Sequence, residues 1–182
     1  MPALPACSVF IATSLDGFIA REDGRLDWLD AANACVPPGE DCGYGAFFAS
    51  VDALVMGRAT FETVLGFPEW PYADKPVWVV SRTLAALPAG LPPTVRLVRG
   101  TPREIVHDAA AAGWQRLYID GGQLIRAFLQ AGLITDMTLT TVPVLLGAGR
   151  PLFGAMAGDM ALRLVETKGY AFGFVQSTYR LA

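Results

Sequence analysis

Histidine is almost missing from this chain: His107 is the only one in 182 residues. A Ser-His-Asp triad and a histidine-ligated metal centre both need imidazole, so neither is expected. His107 itself falls in a helical pattern beside Asp108, which reads as surface. Cysteine is scarce as well. Cys7, Cys35 and Cys42 are odd in number and lack CxxC spacing, which reads as free thiols in a reducing compartment. Basic charge is in deficit, with 14 Lys and Arg against 17 Asp and Glu, so the chain has no field suited to nucleic acid. No apolar run approaches the ~20 residues that span a bilayer. No basic residue precedes Arg21, so the N-terminal stretch does not read as a signal peptide. The expectation is a cytoplasmic protein forming one domain over residues 1–182, with no metal, no membrane and no nucleic acid among its partners.

What the chain does have is apolar residues, 53% of the total, in short runs. "SVFIA" (8–12), "ALVM" (53–56), "VWVV" (77–80), "VRLV" (95–98), "RLYI" (116–119) and "MTLTTVPV" (137–144) read as strands. Several are apolar almost throughout, as suits strands covered on both faces of a parallel sheet. Helical patterns lie between them. In "TPREIVHDAAAAG", Thr101 suits an N-cap, Pro102 the first turn, Glu104 a capping box and Gly113 the exit. "GGQLIRAFLQAG" and the shorter "RATFETVLG" are of the same kind. This alternation predicts an α/β fold, a mostly parallel central sheet flanked by helices. The last segment, "LRLVETKGYAFGFVQSTYRLA", reads instead as two strands about a turn near 168–173, an antiparallel hairpin at one edge. Its rings, Tyr170, Phe172, Phe174 and Tyr179, are a hazard on an exposed edge unless a second copy covers them or they pack on their own sheet.

Three stretches place chemistry where a strand ends. In "DALVMGRATFE", Gly57 allows close backbone approach, Arg58 adds charge and Thr60 adds a donor at a helix start, which suits an anion or simply a tight turn. "YIDGGQLI" repeats the pattern with Gly121 and Gly122, paired glycines whose entropic cost at a helix start suggests close approach or a strained turn. Two such turns suit a diphosphate lying across strand ends. "VVSRT" puts Ser81 and Arg82 directly after a strand, a hydroxyl and a guanidinium suited to a phosphate monoester. Neither a P-loop nor a complete GxGxxG occurs; "GAGRPL" lacks the third glycine.

Together with "IATSLDGFIA" (11–20) and "LTTVPVLLGAGRPLF" (139–153), the Gly57 and Gly121 blocks resemble the dihydrofolate reductase superfamily. The nearest branch is the reductase (C-terminal) domain of the bifunctional riboflavin-biosynthesis deaminase/reductase, favoured by the SLDG and PVLLGxGxPLF blocks. The resemblance runs in order over nearly the whole chain. It implies a dihydrofolate-reductase-like fold that binds NADPH in extended form. Gly57, Arg58 and Thr60 match the cofactor-phosphate turn, and Ser81 and Arg82 the 2′-phosphate region. Gly121, Gly122, Gln123 and Leu124 match the diphosphate turn, where the family often has a cis Gly-Gly bond. Ala12 and Ile19 match backbone positions that hold the nicotinamide carboxamide. Asp120 matches an acidic position that touches substrate in the riboflavin branch, and Thr140 a threonine near substrate in folate reductases. Dimers are common in that branch, so a homodimer is implied.

The chain departs from both relatives on the substrate side. The first-helix carboxylate of folate reductases falls on Asn33, counting from Trp28, while Asp30 would face differently. The arginines that grip a ribose phosphate in the riboflavin branch have no counterpart, because no basic residue lies between Arg25 and Arg58. A phosphorylated substrate would have to rely on Arg150 or on an arginine from a second subunit. Asp30 and Asp120 stand as proton-donor candidates, and Trp28, Asn33 and Thr140 as substrate-side candidates; Trp28 and Tyr44 could wall the pocket, but core packing is the more usual use of either aromatic. The leading expectation is an NADPH-dependent reductase of a small heterocycle or carbonyl compound. Two alternatives stay open: the 5-amino-6-(5-phosphoribosylamino)uracil reductase of riboflavin biosynthesis, and a non-catalytic NADP-binding protein.

Overall fold

A computed structural model describes residues 3–181. In chain order the elements are β1 (Ala6–Ser14), β2 (Phe18–Ala20), α1 (Asp27–Asn33), α2 (Tyr44–Ser50), β3 (Ala53–Gly57), α3 (Arg58–Val64), β4 (Val77–Val80), β5 (Val95–Val98), α4 (Pro102–Ala111), β6 (Arg116–Asp120), α5 (Gly122–Gln130), β7 (Ile134–Val142), β8 (Arg150–Pro151), β9 (Leu162–Gly169) and β10 (Val175–Leu181). Eight strands form one sheet in the order β5-β4-β3-β6-β1-β7-β10-β9, and β2 pairs with β8 beside it. The pairs from β5 across to β7 are parallel, whereas β10 runs antiparallel to both β7 and β9. This is the expected mixed sheet with an antiparallel edge hairpin.

The unbroken apolar run of β3 has a simple cause. Ala53 and Val55 face one core with Ile125 and Phe128, while Leu54 and Met56 face a second with Phe61 and Val64. All four β3 residues are fully buried, so neither face tolerates a polar residue. In α4 the capping box forms as read: the Thr101 hydroxyl accepts from the Glu104 N–H, and the Glu104 carboxylate accepts from the Thr101 N–H at 2.7 Å. Strand ends differ from the sequence reading. β1 extends to Ser14 because β7 pairs with it along its length, and β7 stops at Val142 because Pro143 has no N–H to continue the ladder. Helix α2, rich in glycine, alanine and phenylalanine, carried no cap or periodic signal and was not anticipated.

The edge hairpin resolves one open expectation. Phe174 is buried, and Tyr170, Phe172 and Phe174 pack in a third cluster with Trp28 and Val142. These three rings therefore pack within their own chain, with Phe172 and Phe174 centroids 5.0 Å apart, while Tyr179, opposite Met137 in β7, stays half-buried. Every residue of β9 is exposed, the aliphatic Leu162, Leu164 and Val165 beside the charged Arg163, Glu166 and Lys168. Among the described residues no helix is long and apolar enough to cross a membrane.

Candidate active site

The site begins where the sheet forks. β1 pairs with β6 only as far as Ser8 opposite Tyr118. Beyond that point β1 continues with β7 to Ser14, while β6 continues with β3 until Asp120 lies opposite Met56. The two central strands thus part toward their carboxyl ends, where open α/β sheets take their ligands. The Tyr118 hydroxyl donates to the Phe10 carbonyl at 2.8 Å across the base of the fork. Asp120 and the glycine pair follow on one lip; Phe10 and Ala12 follow on the other.

On the β3–β6 side the two glycine turns meet. Gly121 has φ +95° and ψ 128°, open to glycine and strained for other residues. A Cβ there would run into the Thr60 hydroxyl and lie 3.7 Å from the Gly57 nitrogen. A Cβ on Gly122 would come within 2.9 Å of the Ile19 side chain. Gly57, Thr60, Gly121, Gly122 and Ile19 are therefore packed closely together at the start of nine-residue α5. The Gly121–Gly122 bond is trans; there is no cis peptide among the described residues. Gln123 is exposed, whereas Leu124 is buried and belongs to the first core.

The third turn joins this side through Arg58. Its guanidinium pairs with Glu62 at 2.6 Å and donates to the Thr83 hydroxyl at 3.1 Å, tying the start of α3 to the turn after β4. Ser81 is buried, and its oxygen accepts from the N–H groups of Thr83 and Leu84 at 3.3 and 3.0 Å. It shapes the turn, and Arg82 is exposed upon it. The chemistry of this set suits a dinucleotide phosphate: two glycine turns at strand ends, Gly57 and Gly121, with Arg58 and Arg82 as the basic residues of the adjoining α3 start and β4 turn.

On the β1–β7 side lies a cleft of about 520 Å³ lined by Phe10, Ala12, Asn33, Glu40, Tyr44 and Thr140, among others. Asn33 and Thr140 meet there, as the sequence suggested; Trp28 and Asp30 do not line it. The helical turn is the reason. Leu29 and Asn33 stand four residues apart on the face of α1 toward the cleft, which puts Trp28 into the core at 4% exposure and leaves Asp30 exposed to solvent. The cleft lining includes Glu40 and Asp41 and, among the described residues, no Lys or Arg. Arg150 is engaged elsewhere, donating to the Glu22 carbonyl at 3.1 Å and packing over Gly24.

Asp120 sits between the two sides. Burial lifts its carboxyl from an ordinary 3.8 to about 6, only partly opposed by the Gly121 N–H, which donates to Oδ1 at 2.8 Å. Tyr44, Tyr72 and Tyr118 lie within its electrostatic reach, and each has its phenol pushed upward by burial first and by the Asp120 charge second.

Two elements of the site escaped the sequence reading. Gln176 donates to the Cys42 carbonyl and to the Thr140 hydroxyl, each at 2.9 Å, across 134 and 36 residues of chain. No local pattern announces a contact so distant in sequence. The SLDG block gains a structural meaning. Asp16 accepts from the Ser14 hydroxyl at 2.6 Å and from the N–H groups of Leu146 and Gly147 at 3.1 and 2.8 Å, pinning the SLDG turn to the LLGAG loop.

Comparison with known proteins gives a consistent result. The model of the RibD C-terminal domain family matches residues 5–175. A crystal structure from Shewanella sp. PV-4, provisionally named as a riboflavin biosynthesis protein, is 43% identical with a TM-score of 0.91, covering 97% of this chain and 99% of that one. YwjB of Bacillus subtilis (strain 168), an uncharacterized protein, is 35% identical over 173 residues, covering 89% of this chain and 90% of its own. At the level of fold, dihydrofolate reductase from Enterococcus faecalis, complexed with NADP(H), superposes with a TM-score of 0.63 at 17% identity, covering 100% of this chain and 99% of that one.

Proposed function

This chain belongs to the RibD C-terminal domain family, and from that premise we propose that it is an NADPH-dependent reductase of a small, uncharged heterocycle or carbonyl compound. The observation that carries the reading is the forked sheet, with two glycine turns meeting on one side and a cleft lined by Asn33 and Thr140 on the other. NADPH, when bound, supplies a hydride for an electron-poor C=N or C=O carbon. The chain's own residues do the rest. Gly57, Thr60, Gly121 and Gly122 form the turns that hold the diphosphate, while Arg58 and Arg82 supply positive charge. Ala12 and Ile19 border the fork. Thr140 and Asn33 contact the substrate, and Asp120, its carboxyl raised to about 6, holds a proton in mildly acid solution for delivery to the reduced product. A cleft lined by Glu40 and Asp41 disfavours a phosphate, which supports a neutral ring over the phosphoribosyl-aminopyrimidine.

The test is NADPH oxidation across a panel of pterins, pyrimidines and carbonyl compounds, with Arg82→Ala alongside. Turnover of at least one neutral compound is expected. Arg82→Ala should weaken NADPH roughly 10- to 150-fold, the equivalent of about 1.5–3 kcal/mol for a charged hydrogen bond, and leave NADH nearly unchanged. NADPH binding without turnover of any compound would favour a non-catalytic binder. Strong turnover of the phosphoribosyl compound alone would favour the riboflavin-pathway reaction.

The same reading includes a homodimer, with β9 at the interface. This edge strand offers both unpaired backbone and exposed Leu162, Leu164 and Val165. Sedimentation at micromolar concentration should give twice the chain mass, and Leu164→Lys should shift it toward the monomer. A monomeric wild-type chain would rule the dimer out.

A further inference from the structure

We propose that Gln176 fixes the Thr140 hydroxyl as a hydrogen-bond donor into the cleft, so that the site selects heterocycles offering an oxo or ring-nitrogen acceptor there over amino-substituted counterparts. The inference rests on the cleft being the substrate site and specifies which ligands it takes.

The argument follows the hydrogens. A backbone carbonyl only accepts, so the group that Gln176 presents to the Cys42 carbonyl at 2.9 Å must be its NH2. The amide orientation is thereby settled, and the Tyr170 hydroxyl approaching Oε1 at 3.4 Å agrees with it. The second amide hydrogen then points to Thr140 Oγ1, also 2.9 Å away, and that oxygen accepts. A hydroxyl has one hydrogen of its own to give. Among the described residues Thr140 Oγ1 has no other hydrogen-bond partner, although the residue is only 5% exposed. Its wall of the cleft is shared with Phe10 and Ala12. Buried hydroxyls keep their hydrogens satisfied, so this one is left for whatever occupies the cleft. A ligand oxo group or ring nitrogen accepts it. A ligand NH2 in the same place sets donor against donor and leaves the O–H without a partner, and sites built on hydrogen bonds reject ligands that leave them unpaired.

Gln176 also anchors the loop between α1 and α2, so the test must separate positioning from stability. Equilibrium binding of two fluorescent planar probes, 2-amino-4-oxopteridine and 2,4-diaminopteridine, does so through their affinity ratio. Wild type should favour the oxo probe roughly tenfold. Thr140→Val and Gln176→Leu should each bring the ratio close to one, and the double variant should match Thr140→Val alone. Thr140→Ser should keep the preference. Gln176→Glu, which offers Thr140 an acceptor, should reverse it and provides a second variant if the leucine form does not fold. An unchanged ratio in Gln176→Leu or Gln176→Glu, an additive loss in the double variant, a wild-type preference for the diamino probe, or no binding of either probe would overturn the proposal. NADPH binding, followed in the same samples, reads the reductase assignment separately: its absence would sink that assignment while the probe ratio still reports on Gln176.

Discussion

Replacing Gly121 by valine is expected to remove NADPH binding, by two orders of magnitude or more, in a protein that still folds. The backbone at φ +95° is strained for valine, and the new Cβ would collide with the Thr60 hydroxyl beside the Gly57 nitrogen, displacing the turns proposed to hold the diphosphate. The stability loss should be about 1–3 kcal/mol, the range for a residue held in a conformation glycine alone accepts. A protein of this size normally has about 5–15 kcal/mol in reserve. Gly122→Val tests the other half of the turn, where the obstruction is Ile19 and the Pro151 carbonyl. Calorimetry with NADPH, beside thermal unfolding of each variant, separates lost folding from lost binding. Unchanged affinity in both folded variants would remove the glycine pair from any role with the diphosphate.

Asp120→Asn should cut turnover by roughly 10²–10⁴, the span typical of a lost proton donor, while making the protein more stable at neutral pH. The sign follows from the direction of the shift. Burial raises the carboxyl from 3.8 to about 6, so the folded chain holds this proton more tightly than the unfolded chain. The stabilisation is fully present below about pH 4 and is lost as pH rises through about 6. Above that, an enclosed carboxylate opposes folding by up to about 3 kcal/mol, from ~1.4 kcal/mol per pH unit. Asparagine keeps an acceptor for the Gly121 N–H and carries no charge. The variant should therefore match wild type in acid and exceed it above pH 6, a difference that unfolding curves at pH 4 and pH 8 would show. In parallel, wild-type turnover should fall as pH passes about 6, and the variant should lack that limb. A variant with wild-type rate and wild-type pH profile would show that the proton comes from elsewhere.

The strand–turn–helix junctions proposed to hold the cofactor could be read from the chain alone because their parts are local. Gly57, Arg58 and Thr60 lie within one turn, as do Gly121 and Gly122, and each turn is announced by an apolar strand before it and a helix after it. The β3 run reported burial on two faces for the same reason. The cleft proposed for the substrate was less legible because its parts come from distant segments. Asn33, Thr140 and Gln176 belong to α1, β7 and β10, and what joins them is sheet register and one amide. Trp28 shows the converse error. An aromatic near a substrate motif suggests a stacking surface, yet its helical phase turns it into the core, where its indole nitrogen has no hydrogen-bond partner among the described residues. The hairpin rings were legible only as alternatives, since alternation in a strand does not say which face has a neighbour.

The carboxylate of Asp16 has a consequence for how such chains can be recombined. One side chain holds the loop at 146–147 from 130 residues away, through two backbone N–H groups that only a correctly placed acceptor satisfies. A chimera with a crossover anywhere between these segments would take the SLDG turn from one parent and the LLGAG loop from the other. Where the parents differ in loop length, the carboxylate would reach past its partners, and β2 would lose its alignment with β8. The two blocks should therefore behave as a single heritable unit, exchanged together or not at all, although most of the chain lies between them.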